Sequence, residues 1–259
     1  MNASPLAITN QKGGVGKTTT AVNLAASLAQ LGRRVLLVDL DPQGNATMGS
    51  GVDKRELTHT VYHLLLGQCS EARVRVSSEK GGYVLWPANR DLAGAEVELV
   101  SQPRREYRLR EALERVADQY DQVIIDCPPA LNLLTVNALV AAHAVLIPMQ
   151  CEYYALEGLS DLVNTVKRVK AKLNPGLYID GVLRVMFDPR NTLAQHVSDE
   201  LKRHFGSKVL DTVVPRNVRL AEAPSHGLPV LVYDRSSKGA QAYLRLAEEI
   251  LTRQRDARN

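Results

Sequence analysis

Three cysteines in 259 residues are too few for a disulfide framework. Cys69, Cys127 and Cys151 also lack metal-like spacing, so a reducing, intracellular setting is expected. No stretch approaches the ~18 consecutive apolar residues of a membrane span. From Met1 the chain runs almost at once into Leu6-Ala7-Ile8, and no basic region followed by a long apolar one is read there as a secretory signal. The expectation is a cytoplasmic protein with no membrane attachment. An internal repeat, a low-complexity tract and a long linker are missing too, and one domain over residues 1–259 is the simplest account.

Charge of either sign is modest, at a net +4, but it is unevenly placed. Residues 161–259 hold 17 Lys/Arg against 11 Asp/Glu, whereas residues 1–160 hold 15 against 17. A basic C-terminal part suits a polyanion such as DNA, and a solvated surface is the plainer alternative.

What is present is an alternation of short apolar runs and longer amphipathic stretches. Strands are predicted at Leu6–Thr9, Arg34–Asp39, Tyr83–Trp86, Gln122–Asp126, Ala144–Pro148, Asp180–Met186 and Lys208–Val214. Helices are predicted at Thr18–Leu31, Leu57–Leu66, Leu133–Ala142, Gly158–Leu173, Leu193–Phe205 and Gly239–Arg255. One or two more fall in Ala93–Ala117, interrupted near Pro103. Val35-Leu36-Leu37-Val38 is apolar throughout, as suits a parallel strand buried on both faces. The expected fold is α/β: a P-loop, doubly wound, mostly parallel sheet flanked by helices on both faces.

Lys12-Gly13-Gly14-Val15-Gly16-Lys17-Thr18 lies between a predicted strand and a predicted helix. That context makes it a credible phosphate loop for ATP. Glycines let successive backbone N–H groups curl around phosphates, and the following helix N-terminus adds partial positive charge. Lys17 would reach the β- and γ-phosphates, Thr18 would ligate Mg²⁺, and Thr19 is placed for the α-phosphate. A plain glycine turn does not explain the Lys-Thr pair. Lys12 is a second lysine at the other end of the glycine run.

Acidic residues follow two of the strands. Asp126 ends Val123-Ile124-Ile125, a Walker-B placement for holding Mg²⁺. Asp41, in Asp39-Leu40-Asp41-Pro42-Gln43-Gly44-Asn45, is placed to orient or deprotonate an attacking water. Asp39 is read as a support for the loop or the metal. A turn-capping role is the alternative for each acid. Met186, Phe187, Pro215, Arg216 and Asn217 are read after late strands, on the carboxyl side where such folds bind ligands, as an adenine pocket. Simple loop packing is the alternative there.

At these residues the chain resembles the ParA/Soj family of chromosome- and plasmid-partitioning ATPases. These belong to the deviant Walker A ATPases, together with MinD and the nitrogenase iron protein. The resemblance covers nearly the whole chain. It rests on the loop through Thr19-Thr20, on Asp39 to Thr47, on Ile125-Asp126-Cys127-Pro128-Pro129, on Gln150 to Leu159, and on Val214 to Leu220 with Glu222 to Gly227. The last two stretches are similar to the small chromosomal type, which lacks an N-terminal helix-turn-helix extension.

The resemblance implies a homodimer formed face to face on ATP. Lys12 matches the signature lysine that reaches the partner's phosphates, Gly13 a glycine at the dimer face, and Asp41 a residue needed for hydrolysis. It further implies binding to nonspecific double-stranded DNA on the nucleoid, with release when a ParB-type centromere-binding protein stimulates hydrolysis. Arg190 and Arg219 match DNA-binding arginines; salt-bridged surface arginines are the alternative. Lys202, Arg203, Lys208, Arg235, Lys238 and Arg245 are candidates to extend the patch. No aromatics interleave with these charges, which favours backbone contacts over base stacking.

Three rivals stand beside this reading. A MinD-like membrane-positioning ATPase needs an amphipathic tail, and Thr252 to Asn259 offers no bulky apolar face. An iron–sulfur ATPase needs cysteine ligands, but Cys127 and Cys151 lie outside that family's ligand context. A nucleoid-bound ATPase positioning another cargo, such as a chemotaxis array or a microcompartment, shares every motif above.

Overall fold

The apolar runs are two-faced. In β2 (Val35–Asp39), Val35 and Leu37 point into one core and Leu36 and Val38 into another. β1 (Ser4–Ile8), β5 (Gln122–Asp126) and β6 (Ala144–Met149) divide their side chains in the same way. Burial on both faces is why these strands read as continuous hydrophobic runs. The computed structural model describes residues 4–256.

With β3 (Val76–Ser78), β4 (Tyr83–Trp86), β7 (Tyr178–Phe187) and β8 (Val209–Pro215), they form an eight-stranded sheet ordered β3-β4-β2-β5-β1-β6-β7-β8. Every neighbouring pair is parallel except β3 and β4. One core packs α1 (Lys17–Gln30) and α12 (Lys238–Asp256) on the sheet. The other packs α3 (Val61–Leu65), α5 (Leu92–Glu98), α6 (Arg108–Glu114), α7 (Leu133–Ala141), α8 (Ala155–Lys172) and α9 (Thr192–Phe205). This is the doubly wound α/β fold expected. The sequence order reverses around β1, between β5 and β6, where such sheets open a crevice at the carboxyl ends of their strands.

Several elements depart from expectation. Only Val61–Leu65 of the 57–66 stretch is helical. α8 begins at Ala155, ahead of Gly158, and β7 runs from Tyr178 to Phe187, two residues earlier than expected. Unforeseen are β3 and the short helices α2 (Asn45–Gly49), α4 (Glu71–Val74), α10 (Val218–Glu222) and α11 (Val230–Tyr233). Each has three to five residues, too few to show a period. Near Pro103 the chain leaves helix as foreseen, passing from α5 through one 3₁₀ turn to α6.

Among the described residues no helix is long and apolar enough to cross a membrane. In α12, Ala242, Tyr243, Leu246, Ala247 and Ile250 are buried against the sheet, so its apolar face is already used. Ala257, Arg258 and Asn259, part of the tail read above, lie outside the described residues.

Candidate active site

β1 delivers the chain into the phosphate loop. Asn10 Nδ2 donates to the Pro148 carbonyl at 2.9 Å, tying the loop to the end of β6. Asn10 Oδ1 accepts the Lys12 N–H at 3.0 Å. Gly14 and Gly16 both stand at φ 73°, a left-handed conformation that glycine takes without strain. Gly16 starts α1 with no side-chain cap, so the first-turn N–H groups are left for a ligand. Val15 is buried and anchors the loop from beneath.

The loop's two lysines do different things. Lys17 is 7% exposed, and its Nζ donates to the Lys12 carbonyl at 3.1 Å, inside the curl of the loop. Burial lowers its pKa, while the carboxylates of Asp126 and Asp41 pull the other way. Lys12 instead points outward, its ammonium paired with the Glu152 carboxylate and both side chains about half exposed. Glu152 was not anticipated as a partner, although it lies in one of the motifs that carry the resemblance. Beside it, Tyr153 and Tyr154 are each 73% exposed and meet edge to face.

Asp126 ends β5 beside β1 and is wholly buried. Its Oδ2 accepts the Thr18 hydroxyl at 2.8 Å, and its Oδ1 has no hydrogen-bond partner. An orphaned carboxylate oxygen beside a threonine hydroxyl fits Mg²⁺, which takes few protein ligands and completes its shell with phosphate oxygens and water. Burial first, and the nearby Asp39 carboxylate second, push the Asp126 pKa well up. Asp39 pairs with Asp126 across β2 and β5, and burial raises it to about 6.

The hydrogen bonds of Asp39 go to the turn after β2 and not to the phosphate loop. Its Oδ1 accepts the Asp41 N–H at 3.1 Å. Its Oδ2 accepts the Thr47 N–H at 2.8 Å and the Thr47 hydroxyl at 2.7 Å. It thus holds both ends of the turn that carries Asp41. The Asp41 Oδ1 accepts the Gln43 N–H at 2.9 Å, and the side chain keeps partial access to solvent.

The adenine candidates sit at the ends of β7 and β8. Met186 and Phe187 are the last residues of β7, within the strand and not after it, and Pro215 closes β8 in register with Phe187. Met186 holds φ 49°, unusual for a side chain of its size, and packs toward Gly16. Arg216 follows, and Asn217 caps α10 by accepting the Arg219 N–H at 3.0 Å. None of the five lines the half-open cleft of about 430 Å³ that runs past Thr18, Thr19, Asn45, Met48 and Pro224. A cleft of similar size at the amino ends of β1 and β5, by Pro5 and Val123, is remote from the phosphate loop.

Both DNA candidates are exposed and already paired. Arg190 bonds Asp188 through Nε at 3.0 Å and Nη2 at 2.8 Å. Arg219 bonds Glu222 at 2.8 Å and lies 3.3 Å from Asp234. Arg203 pairs with Glu200, and the Lys208 ammonium donates to the Ile179 carbonyl. Cys127 and Cys151 are buried free thiols, and burial raises both pKa values, Cys151 to about 11. Such thiols are inert packing groups, not reactive thiolates.

A phosphate loop with a buried lysine, a buried Asp bonded to a threonine hydroxyl and an acidic turn, at the carboxyl ends of a doubly wound sheet, define a P-loop ATPase that works with ATP and Mg²⁺. Comparison with known proteins narrows the class. A family model described as an AAA domain matches residues 3–179. The chromosome partitioning protein ParA of Caulobacter vibrioides is 52% identical, covering 99% of this chain and 98% of its own. The sporulation initiation inhibitor protein Soj of Bacillus subtilis is 55% identical, covering 95% of this chain and 97% of its own. Among solved structures, a cobyrinic acid a,c-diamide synthase from Mycobacterium smegmatis with bound ADP and magnesium superposes with a TM-score of 0.87 at 39% identity, over 98% of this chain and 96% of that one. The chain belongs to the ParA/Soj family of chromosome-partitioning ATPases.

Proposed function

We propose that this chain is a DNA-segregation ATPase whose ATP-bound form is a face-to-face homodimer. The observation that carries this is the divergence of the two lysines. Lys17 fills its own loop, whereas Lys12 faces outward with its ammonium at the surface. A cation in that position suits a second subunit's phosphates, where it would offset charge developing on the transferred phosphoryl group. Gly13 supports the same geometry. A Cβ built there meets nothing within 4 Å, so the chain's own atoms do not demand glycine. The exposed Tyr153 and Tyr154 add aromatic surface of the kind that interfaces bury.

In this reading the base rests by Met186, Phe187, Pro215, Arg216 and Asn217. Thr18 and Asp126 hold Mg²⁺, and Asp41 orients the attacking water. The dimer binds nonspecific duplex DNA on the nucleoid through Arg190 and Arg219, and a ParB-type partner stimulates hydrolysis and release. The arginines' present carboxylate partners do not oppose this, because exposed pairs are worth about 0–1 kcal/mol and exchange readily for phosphate.

The test is binding to nonspecific duplex DNA with ATP, ADP or no nucleotide, over a salt series. Binding that requires ATP and weakens steeply with salt is expected. Arg219→Glu should lose DNA affinity and keep ATP-dependent dimerisation. Absence of DNA binding in every nucleotide state would overturn the proposal.

A further inference from the structure

The turn between β2 and α2 is clamped by a buried relay that no phosphate or metal contact explains. Thr47 is wholly buried, and its hydroxyl gives its one hydrogen to Asp39 Oδ2 at 2.7 Å. The Thr47 hydroxyl oxygen in turn accepts the Ala88 N–H, just beyond β4, at 2.9 Å. Asp39 in turn accepts the N–H groups of Thr47 and Asp41. One hydroxyl and one carboxylate therefore join three chain segments: the end of β2, the first turn of α2 and the residues after β4. Donors and acceptors are matched throughout, with the hydroxyl acting once in each sense.

The clamped turn also leans on the same neighbouring segment. Gly44 stands at φ 61°, and a Cβ there would lie 2.6 Å from the Ala88 carbonyl oxygen. The turn that carries Asp41 thus meets Ala88 twice, through its N–H at Thr47 and its carbonyl at Gly44. Among the described residues, Thr47 is the one side chain that hydrogen-bonds both Asp39 and that segment.

We propose that Thr47 is a positioning residue for ATP hydrolysis, acting through Asp41 and touching no part of the nucleotide. This rests on the reading that Asp41 orients the attacking water. Its effect belongs to the chemical step, because small displacements of a positioned group cost rate, about 100-fold per 1 Å at worst. Binding of ATP depends on the phosphate loop and Lys17, which the relay does not contact.

The experiment compares Thr47→Val, which keeps shape and removes the hydroxyl, with Thr47→Ser, which keeps the hydroxyl. ATP affinity and single-turnover hydrolysis are measured for each, alone and combined with Asp41→Ala. Thr47→Val is expected to lower the hydrolysis rate by about 10-fold or more, with ATP affinity within about twofold. Thr47→Ser is expected to restore most of the rate. In the Asp41→Ala background, Thr47→Val should cost nothing further, because its target is gone.

Unchanged hydrolysis in Thr47→Val would overturn the proposal. So would loss of ATP affinity in step with rate, failure of Thr47→Ser to rescue, or a further loss in the Asp41→Ala background. Should Thr47→Val not fold, Thr47→Ala, which also removes the hydroxyl, takes its place: a parental rate at unchanged ATP affinity would refute the role. Failure of the underlying reading is separable, since Asp41→Ala would then hydrolyse ATP normally whatever Thr47 does.

Discussion

Asp39 and Asp126 meet at the ends of adjacent strands, and their hydrogen-bond partners are hydroxyl and amide donors. Both carboxyl groups have pKa values raised chiefly by burial. An acid whose folded pKa lies above its unfolded value binds more protons when folded. It therefore stabilises least at high pH, and the loss accrues as pH climbs from the ordinary 3.8 toward the raised value of about 6 for Asp39. Asp126→Asn deletes one of these buried charges. Lys17 loses a counter-charge, but that attraction is the smallest influence on Asp126, below burial and the repulsion from Asp39. The nucleotide-free variant should melt about 2–4 °C higher at neutral pH, the shift that about 1 kcal/mol gives a chain of this size. The gain should fade near pH 4, and Mg²⁺-dependent ATP turnover should be lost. Melting curves at both pH values check this, and an unchanged neutral melting temperature would count against strain between the two buried carboxyl groups.

Among the elements, the strand, loop and helix around Lys17 were readable because every residue they need lies within one local stretch. The two-faced strands were readable for a similar reason, since burial on both sides leaves an unbroken apolar run. The edge strand β3 was not, because its three residues become a strand only by pairing Val76 with Leu85 and Ser78 with Tyr83. Nor was the task of Asp39, which depends on where the chain returns at Thr47 and on Ala88 arriving from β4. The contact of Met186 with Gly16 is equally non-local. The turn before α2 makes its own prediction. Gly44→Ala introduces strain at φ 61° and places a methyl group against the Ala88 carbonyl. A left-handed alanine costs about 1 kcal/mol and the close approach adds to it. A lower urea midpoint and slower hydrolysis are expected together, whereas a midpoint equal to the parent's would mean that the turn can shift freely.

At the scale of the whole molecule, one face gathers the outward lysine, the unobstructed Gly13 and the paired tyrosines. Gly13→Val should fold and bind ATP, since space is open around that position in the isolated chain. It should stay monomeric with ATP by light scattering, and a normal dimer would contradict the face-to-face arrangement. The order of strands has a further consequence, which concerns synthesis. The phosphate loop leaves the ribosome well before the strands that flank β1 among the described residues. The partners of β1 are β5, through Ser4 with Gln122 to Ile8 with Asp126, and β6, through Leu6 with Ala144 to Ile8 with Leu146. Such distant pairings form late, because the closure entropy of the intervening chain must be met before the contacts repay it. A nascent chain that has not yet reached β5 and β6 therefore carries a phosphate-loop sequence without its flanking strands, and ATP should act as a ligand of the folding chain only after Asp126 and Pro148 have emerged.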